Sequence, residues 1–137
     1  MKLRAVFLIC LVACSILSIA AAAALAQEGH PLTGVWYGDW GPNAATRNQI
    51  TIIMNWDGKS VTGQFNPGPD AMTLKAATLD STKWTVHFEV EGKDDQGKAV
   101  HYVADGKLEN IGSYNRTITG TWNDGTATKN DFKLKRD

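Results

Sequence analysis

Hydrophobic and polar positions alternate along most of the chain beyond its first thirty residues. The alternation is clearest over residues 83–91, where Trp84, Val86, Phe88 and Val90 are separated by polar residues. Successive side chains of a strand point to opposite faces, so this period of two predicts half-buried antiparallel strands. The same pattern predicts eight strands, which lie near residues 33–40, 48–56, 60–66, 71–79, 83–91, 99–108, 116–123 and 129–136.

A five-residue phrase of apolar residue, Thr, Gly, variable residue and aromatic residue occurs three times, at Leu32–Trp36, Val61–Phe65 and Ile118–Trp122. In a strand, its apolar residue, Gly and aromatic share one face. We expect each Gly to leave a gap for a ring of the neighbouring strand and to let the strand bend. These inward glycines, the uniform hairpin spacing and a last strand able to pair with the first favour an all-β, eight-stranded antiparallel up-and-down barrel over a sandwich. A single helical turn near residues 44–47 is the one exception considered.

The N-terminal segment is typical of a secretory signal, because two basic residues precede an apolar run over residues 5–26. Ala24–Ala26 provides a small-x-small cleavage motif. We therefore predict a signal peptide over residues 1–26, a single domain over residues 27–137, and a periplasmic or extracellular location. The alternative is a lipoprotein anchored through Cys14, which is less favoured because it would leave an apolar stretch exposed at the start of the mature chain.

The predicted mature chain contains no cysteine, because Cys10 and Cys14 both lie in the signal segment. A disulfide and a thiolate nucleophile are thus excluded there. The full chain has 14 basic and 14 acidic residues, and removing Lys2 and Arg4 leaves 14 − 2 = 12 basic residues. Without a basic patch, neither nucleic acid nor an anionic membrane is an expected partner, and no membrane span is expected after cleavage.

The segments Thr33–Trp40, Val61–Gly63 and Thr119–Trp122 resemble those of small secreted bacterial β-domains that occur alone or ahead of secreted hydrolases. The resemblance implies a lipocalin-like or calycin-like barrel of unassigned function. The chain is also similar to avidin-type proteins, with Trp84–Val86 as a further match. In that family, a ring of polar side chains that begins just after the first Trp-Tyr pair binds the ureido group of biotin. The corresponding stretch here, Gly38–Pro42, lacks the expected Asn and Ser. Biotin binding is therefore not expected.

Aromatic residues and one stiff loop are the candidate binding groups. The aromatic set either lines a ligand pocket at the barrel mouth or fills the interior, and Trp40 is the strongest pocket candidate. The loop Asn66–Asp70, with two prolines around a glycine, either holds a binding rim or is only a rigid turn. The predicted ligand-binding residues are Tyr37, Trp40, Asn66, Pro67 and Asp70.

His87 and His101 form a second candidate cluster. A hairpin centred on residues 94–95 would place them opposite each other on the outer face, near Glu89 and Asp105. Two imidazoles and a carboxylate suit Zn²⁺ or Cu²⁺. An exposed polar ladder is the favoured interpretation, because a surface site lacks residues that orient the ligands. We therefore predict no metal and no other cofactor.

Catalytic motifs are absent from the sequence, which has no Gly-x-Ser-x-Gly elbow, no His-Glu-x-x-His helix and no phosphate-binding loop. An enzyme is not expected. The sequence favours a non-enzymatic barrel that binds a small apolar or amphipathic molecule at its mouth. The alternative is a protein-interaction module, such as a periplasmic protease inhibitor or an accessory domain that docks on a secreted hydrolase.

Overall fold

The computed structural model describes residues 29–94, 96–125 and 130–137, and the predicted signal peptide lies outside these residues. The chain folds into eight strands, namely β1 (Gly34–Asn43), β2 (Thr46–Trp56), β3 (Val61–Phe65), β4 (Met72–Asp80), β5 (Thr85–Lys93), β6 (Ala99–Glu109), β7 (Thr117–Asn123) and β8 (Asn130–Arg136). The described ranges contain no helix that is long and apolar enough to cross a membrane.

The strands form one closed antiparallel barrel in sequence order, so the predicted fold class is confirmed. Each strand pairs with the next, and β8 returns to pair with β1 from Trp36↔Arg136 to Gly41↔Asp131. Closure pairs the backbone groups that an open sheet would leave exposed at its two edges.

The turn between β1 and β2 replaces the helical turn considered near residues 44–47. The Oδ1 atom of Asn43 accepts hydrogen bonds from the backbone N–H groups of Ala45 and Thr46, each at 2.9 Å. This side chain stabilises a tight hairpin. Both strands consequently extend further toward the turn than predicted.

Side chains alternate as the sequence indicates, and those pointing inward form one core. On β5, Val86, Phe88 and Val90 are at most 2% exposed. Two tryptophans depart from the expected inward set. Trp56 is 39% exposed and stacks on His30 with ring centroids 4.7 Å apart. Trp84 adopts a φ of 56° just before β5 and is only partly buried.

The segment before β1 closes one end of the barrel, called here the closed end. Leu32 is fully buried, and its carbonyl oxygen accepts a hydrogen bond of 2.8 Å from the indole Nε1 of Trp36. From the loop between β6 and β7, the guanidinium of Arg116 donates to the carbonyl oxygens of Pro31 and Ile111 at 3.1 and 3.0 Å. The segment is thereby hydrogen-bonded both to a side chain of the barrel interior and to a neighbouring loop.

Two of the repeated glycines act differently from the expectation that they leave gaps for rings. A Cβ added to Gly63 or Gly120 would overlap a backbone carbonyl oxygen of the neighbouring strand. The strand backbones themselves come too close for a side chain at these positions, which is typical of tightly curved sheets. A ring lies beside a glycine at Gly106 instead, where an added Cβ would be 3.1 Å from Cζ of Phe132.

The substitution Gly120→Ala is expected to destabilise the barrel by about 2 kcal/mol or more, because the added methyl group must displace paired backbone. Gly112 is the matched control, since nothing lies within 4 Å of an added Cβ there. Urea unfolding of the two variants measures the difference. Equal midpoints for both would contradict the close backbone approach at Gly120.

Candidate functional site

A cavity of about 100 Å³ occupies the barrel interior at the end opposite the closed end; we call it the mouth cavity. All eight strands contribute to its lining. The lining consists of Trp40, Ile50, Ile52, Phe65, Asn66, Met72, Phe88, Val90, Tyr102, Ala104, Trp122, Phe132 and Leu134. The interior near the closed end is filled, since Trp36 and Met54 are fully buried there. The aromatic residues therefore line a cavity in one half of the barrel and fill the interior in the other half.

Three aromatic side chains form one wall of the mouth cavity. The rings of Trp40 and Trp122 are 4.3 Å apart between centroids and nearly perpendicular at 86°. Tyr102 contacts the same Trp122 ring at 5.3 Å and 71°. Edge-to-face contacts of this kind contribute about 0.5–1.5 kcal/mol beyond burial. The wall is consequently stabilised by contacts among its own rings.

Few polar atoms face this part of the interior. The side-chain Oδ1 of Asn66 accepts from the backbone N–H of Thr51 at 3.0 Å, and the backbone N–H of Asn66 donates to the Thr51 carbonyl at 2.7 Å. Asn66 holds this position with a φ of 46°. The indole Nε1 of Trp122 is buried and has no hydrogen-bond partner within residues 29–94, 96–125 and 130–137. An apolar cavity with a few fixed polar groups is the usual form of a small-molecule site.

The five predicted binding residues are not all brought together. Trp40 and Asn66 line the mouth cavity. Pro67 and Asp70 are exposed in the loop between β3 and β4 and do not line it. Tyr37 is 50% exposed on the outer face of β1 and does not line the cavity either. Its two neighbours in the strand take the inward positions, and alternation then directs Tyr37 outward.

Several lining residues were missed in the sequence, among them Met72, Tyr102 and Ala104. Each is an inward residue near the mouth end of its strand. The register of strand pairing identifies them. For example, Ala104 on β6 pairs with Phe88 on β5 and with Trp122 on β7. The five-residue phrase Leu32–Trp36 assigns faces within its own strand, but it does not show which residues of other strands lie beside it.

The histidines lie on the outer face of β5 and β6, but the predicted pairing between them is wrong. His87 pairs with Asp105, and His101 pairs with Glu91, because the hairpin is centred two residues later than expected. Glu89 lies between the imidazoles, with its carboxylate oxygens 3.4 Å from Nε2 of His87 and 3.9 Å from Nε2 of His101. Within the described ranges, no group of three or more His, Cys, Asp or Glu side chains is placed to hold a metal ion.

An ion-pair cluster joins three strands on the outside of the mouth. The guanidinium of Arg47 on β2 contacts the carboxylate of Asp39 on β1, with Nε to Oδ1 at 2.9 Å, and the carboxylate of Asp131 on β8. The cluster spans the seam where β8 meets β1. Its cation is matched by two carboxylates.

Comparison of the chain with protein-family models, with curated proteins and with solved structures finds no match in any of the three. The geometry of the mouth cavity is therefore the main guide to function. Its size, apolar lining and partly exposed rim define what it can accept.

Stability is expected to depend on pH through His87. A hydrogen bond with Asp105, at 2.7 Å between Nδ1 and Oδ1, raises the pKa of His87 above its usual 6.5, and Glu89 adds to this while partial burial opposes it. Because the pKa is higher in the folded chain than in the unfolded chain, the contribution is fully present below about pH 6.5 and is lost as pH rises through the folded value.

We expect Asp105→Asn to lower the free energy of unfolding by about 0.5 kcal/mol near pH 5.5 and by almost nothing near pH 8.5, as for exposed ion pairs. Exposed Asp70→Asn is the control. Urea unfolding across this pH range measures both variants, and a deficit that is constant with pH would refute the role of His87.

Proposed function

We propose that this protein binds a small apolar molecule, or the apolar end of a larger one, in the mouth cavity. The observation that carries the proposal is an unfilled apolar space of about 100 Å³ lined by side chains from every strand. Side chains around an unfilled space lose dispersion contacts, and this loss lowers stability unless another molecule restores them. A ligand inside the barrel supplies those contacts.

The size of the mouth cavity limits the ligand. An engineered cavity of about 150 Å³ holds benzene, so a space of about 100 Å³ accepts a group of about benzene size only with small adjustments of the lining. Met72 is suited to such adjustment, because its unbranched thioether side chain is flexible and lies at the partly exposed rim. Larger molecules would project through the mouth into solvent.

Binding without catalysis is part of this proposal. Apart from the phenol of Tyr102, the lining contains no ionisable side chain. General acid-base and nucleophilic catalysis both need such groups close to the substrate. The mouth cavity is therefore better suited to holding a molecule than to transforming it.

We also propose that the protein is a secreted, lipocalin-like barrel, cleaved after Ala26. Support comes from the signal-like N-terminal sequence and from an eight-stranded up-and-down barrel closed at one end. The mass of the exported protein tests the cleavage, and it is expected to correspond to a chain that begins at Gln27. A lipid-modified mass beginning at Cys14 would support the lipoprotein alternative instead.

Filling the cavity is expected to abolish binding. Ala104→Leu places a larger side chain in the lining, whereas Ala99→Leu adds the same side chain at an exposed position on the same strand. Benzene is the probe, and tryptophan fluorescence is the readout because Trp40 and Trp122 form the wall. We expect saturable binding with a Kd of about 1 mM or lower, equivalent to about −4 kcal/mol.

The wild type and Ala99→Leu should respond alike, and Ala104→Leu should give no saturable response while remaining folded by circular dichroism. Methyl chemical shifts of Ile50 and Ile52 provide a second readout on the wild type that needs no variant. Absence of both responses at saturating benzene would refute the proposed site.

A protein-interaction role is the second candidate, and Tyr114 is the observation that favours it. This side chain is 97% exposed in the loop between β6 and β7. Exposed aromatic residues are enriched at protein interfaces. Stoichiometric retention of a secreted hydrolase by the wild type, and its loss with Tyr114→Ser, would support this role, whereas equal retention by both would argue against a contact through Tyr114.

A further inference from the structure

We propose that the ligand of the mouth cavity is a neutral molecule with a hydrogen-bond acceptor on its apolar body, and that the Trp122 indole N–H binds that acceptor. This inference rests on the proposed function of the cavity. It specifies the chemical class of the ligand as a small ketone, aldehyde, ester or ether.

The first step concerns the indole of Trp122. Its Nε1 is buried and has no acceptor among the residues that the structure describes, although buried donors without a partner are rare in folded proteins and energetically costly. The contrast lies within the same barrel, because the indole N–H of fully buried Trp36 donates to the carbonyl of Leu32 at 2.8 Å. Trp122 belongs to the cavity lining, and Trp36 does not. The unpaired donor thus occurs where the barrel has space for another molecule.

The second step concerns Asn66, another polar residue of the cavity lining. Its Oδ1 accepts from the backbone N–H of Thr51, and a donor can be bound only by the oxygen of the amide. This bond fixes the orientation of the amide. Nδ2 is then the one side-chain group of Asn66 that this bond does not use. Nδ2 is a donor, as is Nε1 of Trp122. Both residues belong to the cavity lining, so each brings a donor group that suits an acceptor on the ligand.

The third step concerns charge. A carboxylate is also an acceptor, but no lining side chain is cationic. The guanidinium of Arg47, outside the mouth, already contacts the carboxylates of Asp39 and Asp131. Burial of an unpaired anion in apolar surroundings is strongly unfavourable. A neutral oxygen acceptor therefore fits the site better than an acid.

The test uses cyclopentanone and methylenecyclopentane, which have nearly the same shape and differ by an oxygen in place of a methylene carbon. Methyl shifts of Ile50 and Ile52 in the folded chain report occupancy of the cavity by either probe. Indole ¹⁵N–¹H shifts report hydrogen bonding, and Trp122→Phe assigns the Trp122 resonance. We expect both probes to move the methyl resonances and only the ketone to move the Trp122 indole proton downfield.

Affinities in the variant provide a second measurement. The ratio of ketone to alkene affinity is expected to fall by roughly three- to ten-fold in Trp122→Phe, in keeping with loss of one hydrogen bond. Trp84→Phe, outside the cavity lining, is the matched control and should leave the ratio unchanged. The indole shift is measured on the wild type, so it does not depend on how well the variant folds.

The outcomes separate the two proposals. If both probes shift the methyl resonances while the Trp122 indole proton stays in place, or if the affinity ratio is unchanged in Trp122→Phe, the acceptor inference is overturned and the binding function stands. If neither probe perturbs the methyl resonances, the proposed function fails and the inference fails with it.

Discussion

The pairing of β8 with β1 is the constraint on which the other features depend. Once the sheet closes, every strand has two partners and every inward side chain enters a single interior of fixed width. The identity of the inward residues then decides how that interior is divided. Bulky residues and the Leu32 segment fill one half, whereas in the other half the aromatic rings pack edge to face and leave the mouth cavity open.

Closure of the barrel also explains why Trp36 and Trp122 have different surroundings. Trp36 and Trp122 end two copies of one sequence phrase, yet they occupy opposite ends of the barrel because β1 and β7 run in the same direction with different offsets. Trp36 lies beside a carbonyl that the N-terminal segment supplies. Trp122 lies at the other end, and its N–H has no acceptor within the part of the chain that the structure describes. Position along the barrel axis, rather than residue type, separates a core tryptophan from a binding candidate.

The fold could be predicted from the sequence because alternation is a local property of each strand. The candidate site was predicted only in part, since Trp40 and Asn66 line the cavity whereas Tyr37 faces outward. Tyr37 directly follows the inward Trp36, and a position one residue further along a strand lies on the opposite face. The histidine pairing was wrong for a related reason, because a shift of two residues in a hairpin centre changes every cross-strand partner. The cavity volume depends on how all eight strands pack together, and no local pattern contains that information.

The first and last described residues lie at the same end of the barrel. The segment before β1 lies at the closed end, and the backbone N–H of Asp137 donates to the carbonyl of Val35 at 3.0 Å, so Asp137 lies at that end too. A tag or fused domain joined directly before Gly29 or directly after Asp137 would therefore attach at the closed end of the barrel. The opening would face away from the support and remain accessible from solution, whichever of these two positions is used for immobilisation.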